Sequence, residues 1–128
     1  MQGYGFSVWA VPYNSDIIKA KYSMKHIPHI TLKTNMIIPE NRFIETSCEI
    51  VFKNPVCKFP SMYENDPLTA SGFYCDINIP TEHDPHMTLW YNFDGPLRVI
   101  NIPEPTRGEI FLADTRSMDP SEWRIICS

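Results

Sequence analysis

Short runs of β-branched and aromatic residues, several with alternating apolar and polar positions, dominate the hydrophobic pattern of this 128-residue chain. Such runs favour β-strands, because successive side chains of a strand point to opposite faces of a sheet. The clearest alternation is predicted over residues 71–79, where one face carries Phe73, Cys75, Ile77 and Ile79. Further strands are predicted over residues 4–11, 29–36, 86–93, 97–102, 109–114 and 123–127, with the last two forming a hairpin.

Helix signals are fewer. Ser15 can cap a short helix that continues through Tyr22. Pro39 followed by Glu40 is typical of a helix start and predicts a second helix to about residue 50. The twelve prolines favour short elements joined by ordered loops, so the predicted fold class is strand-rich α+β. The buried face of the second helix would consist of Phe43, Ile44, Ser47 and Cys48.

Length and composition indicate one globular domain over residues 1–128. Hydrophobic residues make up 43% and charged residues 20%, which excludes a fibrous or largely disordered chain. No apolar run approaches the roughly 18 residues of a membrane span, and the first residues lack a signal-peptide pattern. We therefore expect a cytoplasmic protein that does not contact membranes.

Charge and cysteine spacing narrow the function classes further. The net charge of −4 and the pI of about 5.5 argue against nonspecific binding along a nucleic-acid backbone. A compact anionic substrate held by a few groups remains compatible with this charge. The four cysteines form no C-x-x-C pair, so they are predicted to be free thiols rather than zinc ligands.

A repeated segment is the most specific feature of the sequence. Residues 26–32 (HIPHITL) recur as residues 83–89 (HDPHMTL), with five of seven positions identical. All four histidines of the protein lie in these two copies. In a strand, residues i and i+2 share a face, so His29 would lie beside Thr31 and His86 beside Thr88. If the two strands lie centrally in one sheet, these four polar groups line one cleft.

A pair of histidines with two hydroxyls is suited to phosphoryl chemistry. Imidazole titrates near pH 6.5, so one ring can act as a general base while the other acts as a general acid. Threonine hydroxyls can donate hydrogen bonds to the nonbridging oxygens of a phosphate. Together these groups can break a phosphodiester without a metal ion.

The two His-x-Thr motifs, each with a proline directly before its histidine, resemble those of the 2H phosphoesterase superfamily, the LigT-like phosphodiesterases. This resemblance implies a bilobal fold of two pseudo-symmetric antiparallel sheets, with a few outer helices and a central cleft. It also implies a catalytic pair, His29 and His86, with Thr31 and Thr88 binding the phosphate and with no metal or other cofactor. The reaction implied is cleavage of a phosphodiester that involves a ribose 2′-oxygen.

The same resemblance suggests the substrate. Because the chain is shorter than many family members, we expect a monomer that acts on a small nucleotide rather than on long nucleic acid. A cyclic dinucleotide or a 2′-5′ oligonucleotide signal is the leading candidate, and a viral member would act in the host cytoplasm. A 2′,3′-cyclic phosphodiesterase acting on RNA ends or cyclic mononucleotides is the alternative within the enzyme class.

Two further classes stay open. The chain can be a noncatalytic nucleotide-binding module, or the two His-x-x-His pairs can hold zinc in a structural domain. The outer histidines, His26 and His83, are expected to form hydrogen bonds in the loops before each strand. They can also contact the substrate.

Three residues near the motifs are candidates for substrate binding. By strand alternation Trp90 shares the face of His86 and Thr88, and its ring can stack on a base. Tyr13 follows the first predicted strand and can border the cleft. Lys33, by the same alternation, lies on the face of the first motif and can hold a phosphate.

Overall fold

Strands make up most of the regular structure in the computed structural model, which describes residues 4–38, 46–60, 69–93, 95–97 and 101–127. One α-helix accompanies eight strands in these segments, and the predicted α+β class is confirmed. A 3₁₀ turn, Pro120–Glu122, precedes the last strand. In chain order the elements are β1 (Phe6–Pro12), α1 (Ser15–Lys21), β2 (Ile30–Met36), β3 (Ser47–Phe52), β4 (Cys57–Phe59), β5 (Ala70–Ile77), β6 (His86–Tyr91), β7 (Thr106–Asp114) and β8 (Arg124–Cys127).

All eight strands belong to one antiparallel sheet. Its pairings run from β1 through β2, β6, β5 and β3 to β7, and β7 pairs back onto β1. Six strands therefore close into a ring, while β4 pairs with β5 and β8 with β7. This closure leaves the ring strands paired on both sides. A division into two pseudo-symmetric lobes stays a prediction.

The two faces of the ring strands have different roles. One face of all six strands contributes to a single apolar core, in which Ile30, Ile50, Phe73 and Met87 are fully buried. The opposite face of β1 carries Trp9, which packs in a smaller cluster with residues of β7 and β8. The strands that carry the two motifs are thus held by a core on one face and present the other face to the cavity described below.

The first predicted helix is confirmed and the second is wrong in its described part. Helix α1 begins at Ser15, with Asn14 as its N-cap, and its buried Ile18 joins the core. It is too short to cross a membrane, and the described residues contain no other α-helix. Residues 39–45, which include Phe43 and Ile44, lie outside the described residues.

Residues 47–50 form part of β3 instead of the end of that second helix. Cys48, Ile50 and Phe52 are buried in alternation, because β3 pairs with β5 on one side and with β7 on the other. Tertiary pairing therefore outweighs the local helix signal.

The structure describes only residues 97, 101 and 102 of the strand predicted over 97–102, and these three residues are irregular. Residues 98–100 lie outside the described residues. The predicted hairpin of the last two strands is confirmed as β7 and β8.

Candidate functional site

The pairing of β2 with β6 brings the two copies of the motif together. Ile30 is the antiparallel partner of Met87, and both side chains are fully buried in the core. Continuing this register by one residue on each side sets Thr31 across from His86, and His29 across from Thr88. Directly opposed residues have Cβ atoms about 4.5–5.5 Å apart. Each histidine thus faces the threonine of the other copy, on the side of the sheet that faces away from the core.

A cavity of about 680 Å³ covers this four-residue patch. His29, Thr31, His86 and Thr88 all line it, as the duplicated motif predicts. Hydroxyl and aromatic side chains make up much of the remaining wall. The aromatic rings come from β1, β4, β5 and β6 and from both chain ends, and they are Tyr4, Trp9, Phe59, Tyr74, Tyr91 and Trp123.

His29 and His86, the inner histidines of the two motif copies, each form the same kind of hydrogen bond with the backbone. The Nδ1 of His29 lies 2.7 Å from the carbonyl oxygen of Ile27, and the Nδ1 of His86 lies 2.8 Å from that of Asp84. A carbonyl oxygen can only accept, so each Nδ1 carries the hydrogen. In a neutral ring the Nε2 atom is then unprotonated and can accept a proton. The two copies therefore fix the same tautomer by the same contact, from a residue two positions earlier.

His29 is deeply buried among aromatic rings. Its ring stacks on Trp9 with 3.8 Å between centroids and meets Trp123 edge-on. Burial, and secondly the charge of nearby His26, lower the pKa of His29 to about 3. The ring is therefore neutral at physiological pH, with its orientation set by Trp9 and by the hydrogen bond to the backbone.

His86 lies in a more open environment. Phe59 and Tyr74 flank its ring, with centroid separations of 4.4 and 6.2 Å. Burial lowers the pKa of His86 below 6.5, but the hydrogen bond to the Asp84 carbonyl oxygen opposes this effect. The side chain is half-buried, so it is the more easily protonated of the two inner histidines.

The hydroxyls of the two motif threonines are available to a ligand. Within the part of the chain that the structure describes, neither Thr31 nor Thr88 uses its hydroxyl in a hydrogen bond, although both side chains line the cavity. A hydroxyl can donate one hydrogen bond. These two groups can therefore each donate to an oxygen placed between the histidines.

The three additional residues predicted to bind substrate do not line the cavity. Trp90 lies on the core face, where its indole N–H donates to the carbonyl oxygen of Tyr22. The cause is a bulge in β6: Gly72 pairs with Thr88, whereas Ser71 pairs with Trp90, so one extra residue of β6 reverses the alternation.

The bulge places the next residue, Tyr91, in the cavity wall. Tyr13 is 61% exposed and follows β1 at the surface. Lys33 is also exposed, at a position where the pairing of β1 with β2 is irregular.

The outer histidines differ between the copies. His26 is buried, and its Nε2 donates to the carbonyl oxygen of Thr88 at 2.9 Å, which ties the first motif to β6. His83 is exposed and lines the cavity. The expected loop hydrogen bonding is thus found for His26, whereas His83 can reach a ligand.

Charged groups in the cavity wall are acidic. Glu82 and Asp84 line its rim, and the described lining residues include no lysine or arginine. A bound anion would therefore be held by hydroxyl donors and by a protonated imidazole. Among the described residues, no group of three or more His, Cys, Asp or Glu side chains is placed to hold a metal ion.

Several cavity residues could not be identified from the sequence as parts of a site. Trp9 and Ser7 share a face of β1 by alternation, which is a local signal but not a functional one. Trp123 and Thr115 come from the far end of the chain, and only the pairing of β7 with β1 brings them near the motifs.

Comparison with known proteins identifies no relative: no protein-family model, no curated protein and no solved structure matches this chain.

Proposed function

We propose that this protein is a metal-independent phosphodiesterase of the 2H type, in which His29 and His86 cleave a nucleotide phosphodiester by acid–base catalysis. The observation that carries the proposal is the repeated geometry of the two motifs. Each inner histidine donates its Nδ1 hydrogen to the backbone, and each lies across from a threonine with an unused hydroxyl. Two equivalent proton-transfer groups on either side of one patch suit a reaction in which one proton is removed and another is returned.

The strand pairings support a pseudo-symmetric, bilobal arrangement. The chain can be divided into β1–β2–β3 and β5–β6–β7, with one motif on the second strand of each set. The six pairings of the ring are β1–β2, β2–β6, β6–β5, β5–β3, β3–β7 and β7–β1. Exchanging β1 with β5, β2 with β6 and β3 with β7 leaves this set unchanged. The duplication of the motif is thus accompanied by a duplicated topology.

The difference in burial supports an assignment of roles. His29 is neutral at physiological pH, and its Nε2 accepts the proton of the attacking hydroxyl as that oxygen bonds to phosphorus. His86, which is closer to solvent, donates its Nε2 proton to the leaving oxygen as the P–O bond breaks. A phosphate anion between the rings favours the protonated form of His86. Water or a ribose hydroxyl can be the attacking group.

Thr31 and Thr88 stabilise the charge that develops on the phosphate. Their unused hydroxyls can donate to the nonbridging oxygens, and the absence of a lysine or arginine among the described lining residues makes these donors important. The four groups supply proton transfer and charge stabilisation without a metal ion.

The substrate class is a small nucleotide whose scissile phosphate is bonded to a ribose 2′-oxygen. The likeness of the two motifs to those of the 2H superfamily suggests this linkage. A cavity of about 680 Å³ with six aromatic rings in its wall suits a ligand of the size of a cyclic dinucleotide or a short 2′-5′ oligonucleotide. A 2′,3′-cyclic phosphate is the smaller alternative.

One observation favours a noncatalytic nucleotide-binding module as a second candidate. Burial lowers the pKa of both His29 and His86, so both rings favour the neutral form at pH 7. A module that only binds would tolerate two neutral rings, whereas the enzyme needs the substrate to promote protonation of His86.

Parallel turnover assays test the proposal. The purified protein is incubated with 2′,3′-cyclic mononucleotides, 2′-5′ oligoadenylate and cyclic dinucleotides, with EDTA present. His29→Ala and His86→Ala should each lower turnover by about 10²–10⁴. Thr106→Val, at a half-buried position on β7 outside the cavity wall, is the matched control and should keep full activity. Binding without turnover of any substrate would favour the noncatalytic module, and a fully active histidine variant would refute the catalytic pair.

A further inference from the structure

Three hydroxyls from neighbouring strands form a second polar cluster in the cavity wall. Ser7 on β1 lies 2.9 Å from the hydroxyl of Thr34 on β2, and 2.6 Å from that of Thr115, which directly follows β7. Ser7 and Thr115 are almost completely buried, yet all three residues line the cavity. The cluster is therefore a polar part of the wall held by three adjacent strands.

The hydrogens of this cluster are all taken up by the protein itself. Thr115 donates to the carbonyl oxygen of Gly5 at 2.7 Å, and Thr34 is placed to donate to that of Tyr4 at 3.2 Å. Because carbonyl oxygens only accept, these two contacts use two hydrogens, and Ser7 can give its own to only one threonine. Four contacts thus share three hydrogens. The cluster has no hydrogen left for a ligand, but it retains oxygen lone pairs that can accept.

A carboxylate extends the same acceptor surface. Glu82 Oε1 accepts from the backbone N–H of Thr34 at 2.9 Å, and the backbone N–H of Glu82 donates to the carbonyl oxygen of Leu32 at 3.0 Å. These two contacts hold Glu82 beside β2 at the cavity rim. Its Oε2 makes no hydrogen bond to any described residue. A carboxylate has no hydrogen to donate, so this end of the cavity consists of acceptors.

The cluster of Ser7, Thr34 and Thr115, called the acceptor cluster below, is separate from the patch of motif residues that faces the phosphate. Ser7 and Trp9 lie two residues apart on one face of β1, and Trp9 pairs with Thr31 on β2. One strand repeat, roughly 7 Å, therefore separates the cluster from the level of Thr31. Thr31 and Thr88 keep free hydrogens for phosphate oxygens, whereas the cluster of Ser7, Thr34 and Thr115 does not.

We propose that Ser7, Thr34, Thr115 and Glu82 form a subsite for an uncharged part of the substrate that donates N–H or O–H hydrogen bonds. In a nucleotide these donors are the ribose hydroxyls or the amino group of a base. The inference rests on the proposed function, because it takes the phosphate to lie between the two histidines. It predicts that the substrate presents hydrogen-bond acceptors, the phosphate oxygens, to the histidine end of the cavity. At the other end the substrate presents hydrogen-bond donors to Ser7, Thr34, Thr115 and Glu82.

The substitution Glu82→Gln tests the subsite, because two interpretations of Glu82 predict opposite changes of KM. Glu82→Gln removes a negative charge from the rim and replaces one acceptor oxygen by an amide that donates. If Glu82 binds a substrate donor, the KM for the best diester substrate should rise by about threefold to tenfold. If the carboxylate only repels the phosphate, the KM should fall. Because Glu82 is exposed, the variant is expected to fold normally.

Thr34→Val tests the hydroxyl cluster by removing one acceptor with little change of volume. It should raise KM by about threefold to tenfold and leave kcat within about twofold, because a remote contact binds the ground state and the transition state alike. Thr31→Val should instead lower kcat by about 10²-fold. Thr106→Val should change neither constant.

Nucleosides without phosphate separate this inference from the proposed function. Binding to the whole protein is followed by tryptophan fluorescence, since Trp9 and Trp123 line the cavity. Adenosine is compared with purine riboside, which lacks the amino group, and with 2′,3′-dideoxyadenosine, which lacks the ribose 2′- and 3′-hydroxyls. The analogue without the recognised donor should bind several-fold more weakly to the wild type, and that difference should disappear in Thr34→Val.

Different results would contradict the proposed function and the proposed subsite. Nucleoside discrimination without turnover of any diester would overturn the proposed function and keep the subsite. Turnover with no discrimination among the three nucleosides, or a lower KM for Glu82→Gln, would overturn the subsite and keep the enzyme. Absence of any nucleoside binding at millimolar concentration would also overturn the subsite.

Discussion

Acidification is expected to destabilise the folded protein through His29, well above the pH at which carboxylates titrate. The imidazole stacks on Trp9 and is 5% exposed. Burial, followed by the charges of His26 and His86, lowers its pKa from 6.5 to about 3, although the hydrogen bond to Ile27 opposes this shift. The unfolded chain therefore binds a proton at this ring over a pH range in which the folded protein does not.

The magnitude follows from the two pKa values. Because the folded protein holds the neutral ring, its stabilisation is complete above pH 6.5 and decreases as the pH falls toward 3. At about 1.4 kcal/mol per pH unit, the two units between 6.5 and 4.5 cost about 2.7 kcal/mol. Small domains have stabilities of about 5–15 kcal/mol, so this loss is a large share of the total.

Urea unfolding of the wild type and of His29→Gln measures this contribution. The free energy of unfolding is determined at pH 7.5, 5.5 and 4.5, with tryptophan fluorescence and circular dichroism as probes. At pH 7.5 the two proteins differ by the packing and the backbone hydrogen bond lost with the imidazole, which provides the reference. Between pH 7.5 and 4.5 the wild type should lose about 2.7 kcal/mol more than the variant, since the other histidines are common to both.

Two results would refute the reasoning. One is an equal loss of stability in the wild type and in His29→Gln over this pH range. The other is an NMR titration in which the His29 imidazole of the folded protein protonates near pH 6.5. Either result would mean that the ring is not held neutral by burial, and the assignment of His29 as the base would lose its support.

Four further outcomes are expected. Because burial lowers the pKa of the proposed acid, His86, below 6.5, kcat/KM should already be falling at pH 6.5 and should fall further as the pH rises; a flat profile from pH 5 to 8 would contradict its role. Turnover should persist in EDTA, and restoration by zinc of an activity lost in EDTA would refute the metal-independent mechanism. A cyclic dinucleotide with a 2′-5′ linkage should be cleaved faster than its all-3′-5′ isomer, and equal rates would remove the 2′-linkage claim. Gly72→Ala should lower the free energy of unfolding by more than about 2 kcal/mol in urea titrations, because its Cβ would lie 2.0 Å from the carbonyl oxygen of Met87; an unchanged midpoint would contradict this contact.

Local sequence rules were sufficient to bring together the four motif residues at the centre of the candidate site. The period of two along a strand places His29 with Thr31 and His86 with Thr88, and these pairs do line one cavity. The same alternation, with proline and turn residues at the ends, predicted β1, β2, β5, β6 and the final hairpin. The short helix α1 was also predicted, although its N-cap is Asn14 rather than Ser15 and makes no side-chain capping hydrogen bond. These features depend on neighbours within a few residues, so the sequence alone determines them.

The remaining features depend on which strands lie side by side. Residues 47–50 carry a helix signal, but β5 and β7 flank them and make them a strand. Trp90 would share the face of Thr88 in a regular strand, and a bulge opposite Ser71 turns it to the core. A period of two survives only while the pairing is regular, and pairing partners are chosen by the packing of the whole sheet.

The acceptor cluster shows the same limit most clearly. Ser7 and Thr115 are 108 residues apart, and their hydroxyls meet at 2.6 Å only because β7 pairs with β1. Whether a hydroxyl keeps its hydrogen for a ligand depends on every acceptor within hydrogen-bond distance of it. Those acceptors come from segments that are distant along the chain, so the sequence alone does not identify them. The duplicated motif thus determined which residues can carry the chemistry, whereas the closed sheet decided what surrounds them, because hydrogen-bond partners and burial arise from contacts between distant segments.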